Sequence, residues 1–588
     1  MKRKTLLLSR TSPNNNEIWY TTIDNQALMS NEGAIFDKDE DNALISNTYE
    51  NGQGVLIYEK DIVKIKICFF ENCEKLESIF LPDCIEVVDN ASFHNCINLI
   101  SVRFPNYVKV DDPVAFAGCT NLKKVYINNL ENWCGLRVDP FRDVEEGGDL
   151  YIYGEKLQEL KVPLNVKYIG QTAFHRLNGL TSVTISDNVE TIGYNAFANC
   201  INLQNVTIDA TNIGIQSFSG CSELTNVMFG DNVEIIGHCA FSNCNKLQHI
   251  TTPKSVKQIV YGAFMSCDNL QSITIKNGKI DGSVFNSCHN LTNVTLEDGV
   301  TSIGNGVFLG CSGLTNVTIP NTVTTIGKNV FFDCENLTQI VIPSGVTSIG
   351  GNICASCGHQ LKSIIVSEGN TVYDSRENCN AIIETATNTL IASCSNTTIP
   401  YGVEIIGDYA FGKCDGIRND IIIPETVKTI GEQAFWDCNF THITIPDSVT
   451  TIGVAAFEET ELESVTIGSG VTTISNSVFH SSKLTAVTIP DNVKTLGNHA
   501  FAQTNCRTIT IGSGVTSIGN YVLYNIPSLT EIYCKIIEPL DIPEGNIVIS
   551  SDYLSTCKLY VPTQSVEAYK NHSYWGQFET IEGYEFNV

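Results

Sequence analysis

The sequence predicts a mainly β fold: a right-handed solenoid of about 18 coils of 21–24 residues, with a parallel sheet along one face and capped ends. Two observations predict it. A phenylalanine returns every 21–24 residues along most of the chain, and each repeat carries a short apolar segment that alternates with polar residues, as a half-buried strand does. A unit this short cannot bury its own apolar face, so successive units have to stack on one another.

The repeat also sets the boundaries of the solenoid. The spacing breaks twice, by 58 residues after Phe116 and by 57 residues after Cys354. The repeat aromatic position occurs 18 times and is occupied by Phe70, Phe93, Phe116, Phe174, Phe197, Phe218, Phe241, Phe264, Phe285, Phe308, Phe331, Cys354, Phe411, Phe435, Phe457, Phe479, Phe501 and Leu523. We therefore expect an N-terminal cap at 1–60, a solenoid at 61–534 with insertions near 127–160 and 365–398, and a C-terminal cap at 535–588.

One unit shows how each element arises. Its segment 314–319 alternates apolar and polar residues and predicts a strand, which Pro320 ends because proline cannot donate to a ladder. Residues 323–326 begin a second short extended segment, and Gly327 marks a corner for which we expect a positive φ. Residues 331–334, Phe-Phe-Asp-Cys, then turn the chain back towards the next strand.

Composition argues against nucleic acid as a partner and against a transmembrane span. The 588 residues include 36 Lys and Arg against 64 Asp and Glu, which gives a formal net charge of -28. This balance argues against nucleic acid, because phosphate binding depends on clustered basic residues. No run of about 18 apolar residues occurs, so the sequence predicts no transmembrane span.

The amino terminus is a weak export signal. Met1–Lys4 is basic, but only Leu6–Leu8 is continuously apolar, whereas a secretory signal needs about 7–15 apolar residues. Three alternatives follow from the residues alone: the true start is missing, export follows another route, or the protein stays inside the cell.

The cysteines follow the same repeat. Free cysteine behaves as a small buried hydrophobe, so a column of cysteines is typical of a structural ladder. Later units place Thr460, Ser482, Thr504 and Ile526 in this position, an exchange that a metal ligand or catalytic thiol would not tolerate. The spacing allows disulfides between neighbouring coils but does not require them. Thirteen of the 23 cysteines lie three residues after the repeat aromatic: Cys73, Cys96, Cys119, Cys200, Cys221, Cys244, Cys267, Cys288, Cys311, Cys334, Cys357, Cys414 and Cys438.

The sequence offers few candidates for chemistry. Cys354 and Cys357 form a CxxC pair, which on spacing alone suits zinc or redox chemistry, but both occupy repeat positions, so we interpret the pair as accidental. His238, His289 and His480 form no HExxH motif, and no nucleophile elbow or phosphate-binding loop occurs. We predict no enzyme activity, no catalytic residues, no metal and no cofactor.

The first insertion carries a cluster of carboxylates and one tryptophan. We interpret the carboxylates as a solvated acidic loop; the alternatives are a calcium site, although no EF-hand spacing occurs, or the acid pair of a glycan-cleaving enzyme. We interpret Trp133 as a packing residue, with a sugar platform as its alternative. The acidic residues are Asp139, Asp143, Glu145, Glu146 and Asp149.

A column of threonines is the candidate ligand-facing surface. If the strands stack in parallel, these hydroxyls line one face that carries few charges. β-Propensity and solubility would explain the column without any ligand, since β-branched threonine suits an exposed sheet face. The threonines are Thr184, Thr207, Thr251, Thr274, Thr295, Thr318, Thr444, Thr466, Thr488 and Thr510.

The repeat motif, Leu-Thr-x-Val-Thr-Ile-Pro-x-x-Val-Thr-x-Ile-Gly-x-x-x-Phe-x-x-Cys, resembles that of the BspA-like leucine-rich repeat family, whose members are abundant in Bacteroidales and some parasitic protists. The insertions at 132–134 with 150–152 and at 380–394 also resemble those of Bacteroidales members, as does the ending at 559–578. The resemblance implies a leucine-rich-repeat superhelix and a cell-surface or secreted binding protein that contacts extracellular matrix or cell-surface proteins or glycans. The family supplies no catalytic residues.

The sequence therefore predicts a non-catalytic adhesin or binding scaffold that mediates host or intercellular contacts. An extended array of weak contacts suits multivalent binding better than one deep pocket does. The alternative is an intracellular or phage-associated structural or assembly protein, which the weak export signal favours.

Overall fold

The structure is a computed structural model. Met1–Lys4 and Leu6–Leu8, on which the interpretation of the amino terminus depends, lie outside the described residues. The described residues are 12–29, 36, 41–110, 114–414, 416–417, 421–543 and 545–586.

The chain forms a parallel β-solenoid of about 22 turns with little helix. It divides into two compact units: the residues up to Leu291 together with Thr295–Val300, and Thr292–Val294 together with the residues from Thr301 on. In both units, most turns contribute a strand of three or more residues to one sheet face and a two-residue strand to a second face. The predicted solenoid with its parallel sheet is confirmed.

The first unit begins with the antiparallel strands Glu17–Thr22, Leu44–Glu50 and Gln53–Tyr58. Its first face contains Leu76–Phe80, Ser101–Arg103, Lys124–Ile127, Asp149–Ile152, Glu159–Lys161, Ser182–Ile185, Asn205–Ile208, Asn226–Phe229, His249–Thr251 and Ser272–Ile280, with Glu155–Lys156 paired to Asp149–Ile152. Its second face contains Lys64–Ile65, Val87–Val88, Lys109–Val110, Tyr168–Ile169, Thr191–Ile192, Asn212–Ile213, Ile235–Ile236 and Gln258–Ile259. The division between the units falls within the strand Asn293–Ile303.

The second unit repeats this pattern. Its first face contains Asn316–Thr318, Gln339–Ile342, Ser363–Val366, His442–Ile445, Ser464–Ile467, Ala486–Thr488, Thr508–Ile511, Glu531–Cys534, Lys558–Pro562 and Thr580–Tyr584. Its second face contains Thr325–Ile326, Ser348–Ile349, Ile405–Ile406, Thr429–Ile430, Thr451–Ile452, Thr473–Ile474, Thr495–Leu496 and Ser517–Ile518, and the second insertion adds Tyr373–Asp374, Ile382–Glu384 and Thr389–Ala392.

Helices are short and few among the described residues. None of them is long and apolar enough to cross a bilayer. In this part of the chain the α-helices are Leu130–Cys134 and Val566–Lys570, and the 3-10 helices are Gly358–Gln360, Arg376–Asn378, Ser551–Tyr553, Thr563–Ser565 and Trp575–Gln577.

The turn count exceeds the predicted 18 because segments outside the phenylalanine repeat also join the sheet. Asp149–Ile152 in the first insertion pairs in parallel with Lys124–Ile127. Near the carboxyl terminus, Lys558–Pro562 pairs in parallel with Glu531–Cys534, and Thr580–Tyr584 pairs with Lys558–Pro562. These turns lack the Phe-x-x-Cys signature, so the spacing of the aromatic position does not count them.

Stacked phenylalanines form the centre of each unit. The rings of Phe174 and Phe197 lie 5.0 Å apart with an interplanar angle of 2°, and those of Phe457 and Phe479 lie 5.5 Å apart at 11°. Each buried phenylalanine side chain contributes about 1.5–3 kcal/mol to the free energy of unfolding, compared with the same side chain left exposed. The phenylalanine repeat is thus one core position that recurs once per turn.

The corner glycine has a different role from the predicted one. Gly327 has no positive φ, but an added Cβ would lie 2.5 Å from the backbone nitrogen of Asn305 and 2.5 Å from the carbonyl carbon of Gly304. Glycine is needed here because the backbones of successive turns approach closely. Positive φ occurs instead at Asn329 and Asp333, two residues on either side of Phe331.

Candidate ligand-binding face

The threonine column is in register from turn to turn. In the first unit, Thr184 lies beside Thr207 and Thr251 beside Thr274 in parallel strands; in the second unit, Thr444 lies beside Thr466 and Thr488 beside Thr510. Neighbouring strands lie about 4.8 Å apart, so the hydroxyls repeat at that distance. The register turns a periodic sequence feature into runs of adjacent hydroxyl side chains.

These threonines point away from the core. Val183 and Ile185, on either side of Thr184, are both 1% exposed, whereas the threonine itself is half-buried. Among the described residues, none of the ten hydroxyls has a hydrogen-bond partner within the protein, so each can bind water or a ligand. The exposed members are Thr251, Thr295, Thr318, Thr444, Thr466 and Thr488, and the half-buried ones are Thr184, Thr207, Thr274 and Thr510.

Apolar residues interrupt the column in both units. Met228 lies beside Thr207 and is 55% exposed, and Ile365 lies beside Val341 and is 42% exposed. The face therefore combines hydroxyls with isolated apolar side chains, as protein surfaces generally do.

A second polar column runs beside the first and was missed by the sequence reasoning. It occupies the position two residues before each threonine, where Nδ1 of His249 lies 2.7 Å from Oγ of Ser272, and Nδ1 of His442 lies 2.7 Å from Oγ of Ser464. Serine, asparagine, histidine and glutamine recur at this position, which is the signal that could have revealed it. The candidate face is therefore at least two side chains wide.

The acidic residues of the first insertion do not converge on one site. Asp139 contacts Nδ1 of His175 at 2.9 Å, Asp143 accepts a hydrogen bond from the backbone of Gly118 at 2.8 Å, and Asp149 pairs with Lys156 at 2.8 Å. Glu145 and Glu146 are exposed. In the described part of the chain, no group of three potential metal-ligating side chains lies close enough together to hold an ion.

Trp133 is a packing residue. Its ring is 2% exposed, and its indole N–H donates to the carbonyl oxygen of Ala173 at 2.8 Å. A sugar cannot stack on a ring that is buried in this way, so the alternative of a sugar platform at Trp133 is wrong.

The described cysteines are all free thiols, and 21 of the 23 are buried. Burial is the main cause that raises the pKa of Cys354 and Cys357 well above the ordinary value of 9.0. Their thiols donate to different carbonyls, that of Cys354 to Ser393 and that of Cys357 to Phe331. They line a cavity of about 10 Å³, which holds at most one water molecule.

The histidines that were considered as candidates have local partners. The ring of His238 stacks on Tyr261 at 5.3 Å, Nδ1 of His289 lies 3.1 Å from Asp268, and Nδ1 of His480 lies 3.0 Å from Glu458. No two of these three histidines belong to one site.

A ladder of asparagine amides joins successive turns and was also missed. Each lies two residues after the ladder cysteine and directly before a leucine; Asn202, for example, donates to the carbonyl oxygen of Asn178 at 3.0 Å, and Asn336 to that of Ser312 at 2.8 Å. The other members are Asn98, Asn121, Asn269 and Asn290. These hydrogen bonds tie the loops of successive turns together.

Most turns place one leucine, one phenylalanine and one cysteine in the core. This recurring set of core residues defines a leucine-rich repeat scaffold. The chain belongs to the family described as BspA type leucine rich repeat region, which matches residues 52–134, 148–271, 257–383, 381–506 and 450–572. No match was found among curated proteins.

Solved structures include several similar chains. A leucine-rich cell surface protein from Faecalibacterium prausnitzii A2-165 is 26% identical, with 64% of this chain and 88% of that chain covered and a TM-score of 0.37. A leucine-rich repeat protein from Eubacterium ventriosum ATCC 27560 is 20% identical, with 62% and 85% covered and a TM-score of 0.39. One from Bacteroides ovatus ATCC 8483 is 20% identical, with 82% and 84% covered and a TM-score of 0.30.

Proposed function

We propose that this protein is a non-catalytic adhesin: a cell-surface or secreted scaffold whose threonine-rich face binds extracellular matrix or cell-surface proteins or glycans. The observation that carries the proposal is the register of the threonine column, which presents unpartnered hydroxyls on successive strands. A line of weak, equivalent contacts gains affinity by simultaneous engagement, so a repetitive ligand is favoured over a small molecule.

The geometry supports binding more than catalysis. Three carboxylates of the first insertion contact separate partners, and Glu145 and Glu146 are exposed, whereas a glycosidase needs two that face one cleft about 5–10 Å apart. The cysteine thiols of the CxxC pair are buried with raised pKa values, which disfavours the nucleophilic thiolate.

The test is flow-cell binding of the full chain to immobilised fibronectin, fibrinogen and mucin. The triple variant Thr444→Ala/Thr466→Ala/Thr488→Ala removes three hydroxyls of the column. We expect it to weaken binding to at least one of these ligands by about tenfold or more, the effect of about 1.4 kcal/mol.

A matched control lies on the second face of the same part of the second unit. Thr429→Ala/Thr451→Ala/Thr473→Ala removes the same number of threonines from two-residue strands, so it loses a similar amount of β-propensity. We expect this variant to bind as the parent does. Binding that is absent for all three ligands, or equally reduced in both variants, would contradict the proposal.

The proposed location is tested separately. A protease added to intact cells should degrade the native protein, while a cytoplasmic marker survives. Recovery of the intact protein from the cell interior alone would favour an intracellular or phage-associated assembly role instead.

A further inference from the structure

The first face of the second unit carries a cavity at its carboxyl-terminal end. The cavity has a volume of about 290 Å³, near the lower end of the range for small-ligand sites. We call it the tyrosine pocket, and it is lined by Thr510, Tyr533, Lys535, Tyr584 and Phe586. Thr510 is also the last member of the threonine column and lies directly beside Tyr533, so the pocket continues that column.

Aromatic rings form the walls. Tyr533 stacks on Tyr560 with centroids 4.8 Å apart and an interplanar angle of 13°, while Tyr584 meets Tyr533 edge-on at 5.1 Å and 75°. Phe586 lies 4.9 Å from Tyr584. Although it belongs to this cluster, Tyr584 is 43% exposed. Part of the Tyr584 side chain is therefore accessible to a ligand in the pocket.

One ammonium group and two carboxylates surround the pocket. Nζ of Lys535 lies 3.4 Å from the carboxylate of Asp491, and the phenol of Tyr533 donates to the carboxylate of Glu531 at 3.0 Å. Burial, followed by this hydrogen bond, raises the pKa of Tyr533 to about 12, so the phenol stays protonated at neutral pH. An anionic ligand would have to compete with Asp491 for the lysine that lines the pocket.

The strand at the centre of the pocket is already paired. Glu531–Cys534 forms ladders with Thr508–Ile511 on one side and with Lys558–Pro562 on the other. A peptide therefore cannot add to this strand by backbone pairing, which is the usual source of affinity for a bound strand. In the described residues the sheet ends at Thr580–Tyr584, so the outer edge of that strand has no partner strand. Within the pocket itself, a ligand meets side-chain hydroxyls, an ammonium group and aromatic rings.

We propose that the tyrosine pocket binds one or two neutral pyranose units of a glycan. A pyranose has an apolar C–H face that packs on an aromatic ring. The hydroxyls at its rim can accept from Lys535, and can both donate to and accept from Thr510 and the phenols. This deepens the proposed function by naming the ligand class at one site, and it rests on that function for the assignment of binding without catalysis.

The experiment titrates the full chain with cellobiose, maltose, lactose and N,N′-diacetylchitobiose, each to about 20 mM, and follows binding by saturation-transfer NMR. At least one disaccharide should bind. Tyr584→Ala should weaken it about tenfold or more, whereas Tyr584→Phe, which keeps the ring, should stay within about threefold, since stacking is the main contact.

Tyr524→Ala is the matched control. Tyr524 is also in the second unit, is 39% exposed and lies outside the pocket, so its removal should leave sugar binding unchanged. The proposal is overturned if none of the four sugars binds, if Tyr584→Ala binds as the parent does, if glucuronic acid binds more tightly than every neutral sugar, or if a proline-rich peptide binds at Tyr584 and no sugar does.

Failure here is distinguishable from failure of the broader function. Thr444, Thr466 and Thr488 do not line the pocket, so the flow-cell comparison tests the threonine column independently. If no sugar binds but the flow-cell binding is retained, only the assignment of the tyrosine pocket fails. If sugars bind but the flow-cell binding is absent, only the proposed role of the threonine column fails.

Discussion

The thiol of Cys200 donates a hydrogen bond to the carbonyl oxygen of Phe174 at 3.1 Å, so a side chain of one turn binds the backbone of the turn before. The same contact recurs along both units, for example from Cys267 to Phe241 at 3.2 Å and from Cys438 to Phe411 at 3.0 Å. These ladder cysteines are thus more than small apolar fillers, because their thiols also donate to carbonyls of the preceding turn.

Removal of one ladder thiol should destabilise the fold. Cys200→Ala leaves a small cavity and an unsatisfied carbonyl, so we expect the free energy of unfolding to fall by about 1–3 kcal/mol. Cys200→Ser should cost less, since Ser482 is accepted at this position and donates to Phe479 of its own turn at 2.8 Å. Urea unfolding followed by circular dichroism measures both.

Cys68→Ala serves as the control for these variants. Cys68 is half-buried and lies outside the ladder, so its replacement should change the unfolding free energy by less than about 1 kcal/mol. An equal loss for Cys68→Ala and Cys200→Ala would argue against a special role of the ladder contact.

Native thiols should react slowly with Ellman's reagent at pH 8. Burial raises the pKa of both Cys200 and Cys267 to about 12, and only the thiolate is nucleophilic. We expect at most two thiols, those of the half-buried Cys68 and Cys84, to react before unfolding, and all 23 to react in guanidinium. Rapid release from more than two thiols in the native protein would contradict the buried ladder.

Gly327→Ala should destabilise the second unit through overpacking. The new Cβ would lie 2.5 Å from backbone atoms of Asn305 and Gly304, which belong to the preceding turn, and overpacking of this kind costs about 1–3 kcal/mol. Gly351→Ala, where no atom lies within 4 Å of the added Cβ, is the control and should be neutral. Thermal unfolding of the two variants side by side makes the comparison.

Stability should fall as the pH drops below about 4, partly through Asp491. The backbone N–H of Ser513 donates to this carboxylate, and that hydrogen bond is the main cause that lowers the pKa of Asp491 below its ordinary value of 3.8. A depressed carboxyl pKa stabilises the folded state above the unfolded-state value, and this contribution is lost as the carboxylate takes up a proton.

Asp491→Asn should therefore flatten the dependence of the melting temperature on pH between 5 and 3. Asp231→Asn, a change at an exposed aspartate of the first unit, controls for net charge. A pH dependence that is the same in both variants and the parent would rule out a contribution from the Asp491–Ser513 contact.

The core of the fold was predictable because one position repeats with one physical role. Phe174 and Phe197 stack because they occupy that position in consecutive turns. The threonine column was equally visible, since alternation with buried valine and isoleucine fixes the face on which it lies. Gly327 misled the prediction because the sequence does not distinguish a glycine needed for positive φ from one needed for close approach.

The tyrosine pocket could not be predicted in the same way. Tyr533, Tyr584 and Phe586 share no repeat position, and only the parallel pairing of the last strands brings their rings together. Their strands also lack the Phe-x-x-Cys signature, so the periodicity that reveals the solenoid stops short of this site.

The turn-to-turn register has a consequence for how such a gene can change. Thr444 and Thr466 occupy the same register position one turn apart, so duplication or loss of a segment that encodes one whole turn would preserve the register of the neighbouring strands. Recombination between repeats could therefore lengthen or shorten the threonine column one strand at a time. Tyr584 and Phe586 of the tyrosine pocket lie outside the phenylalanine repeat, so they would pass unchanged through such events while the reach of the column beside them varied.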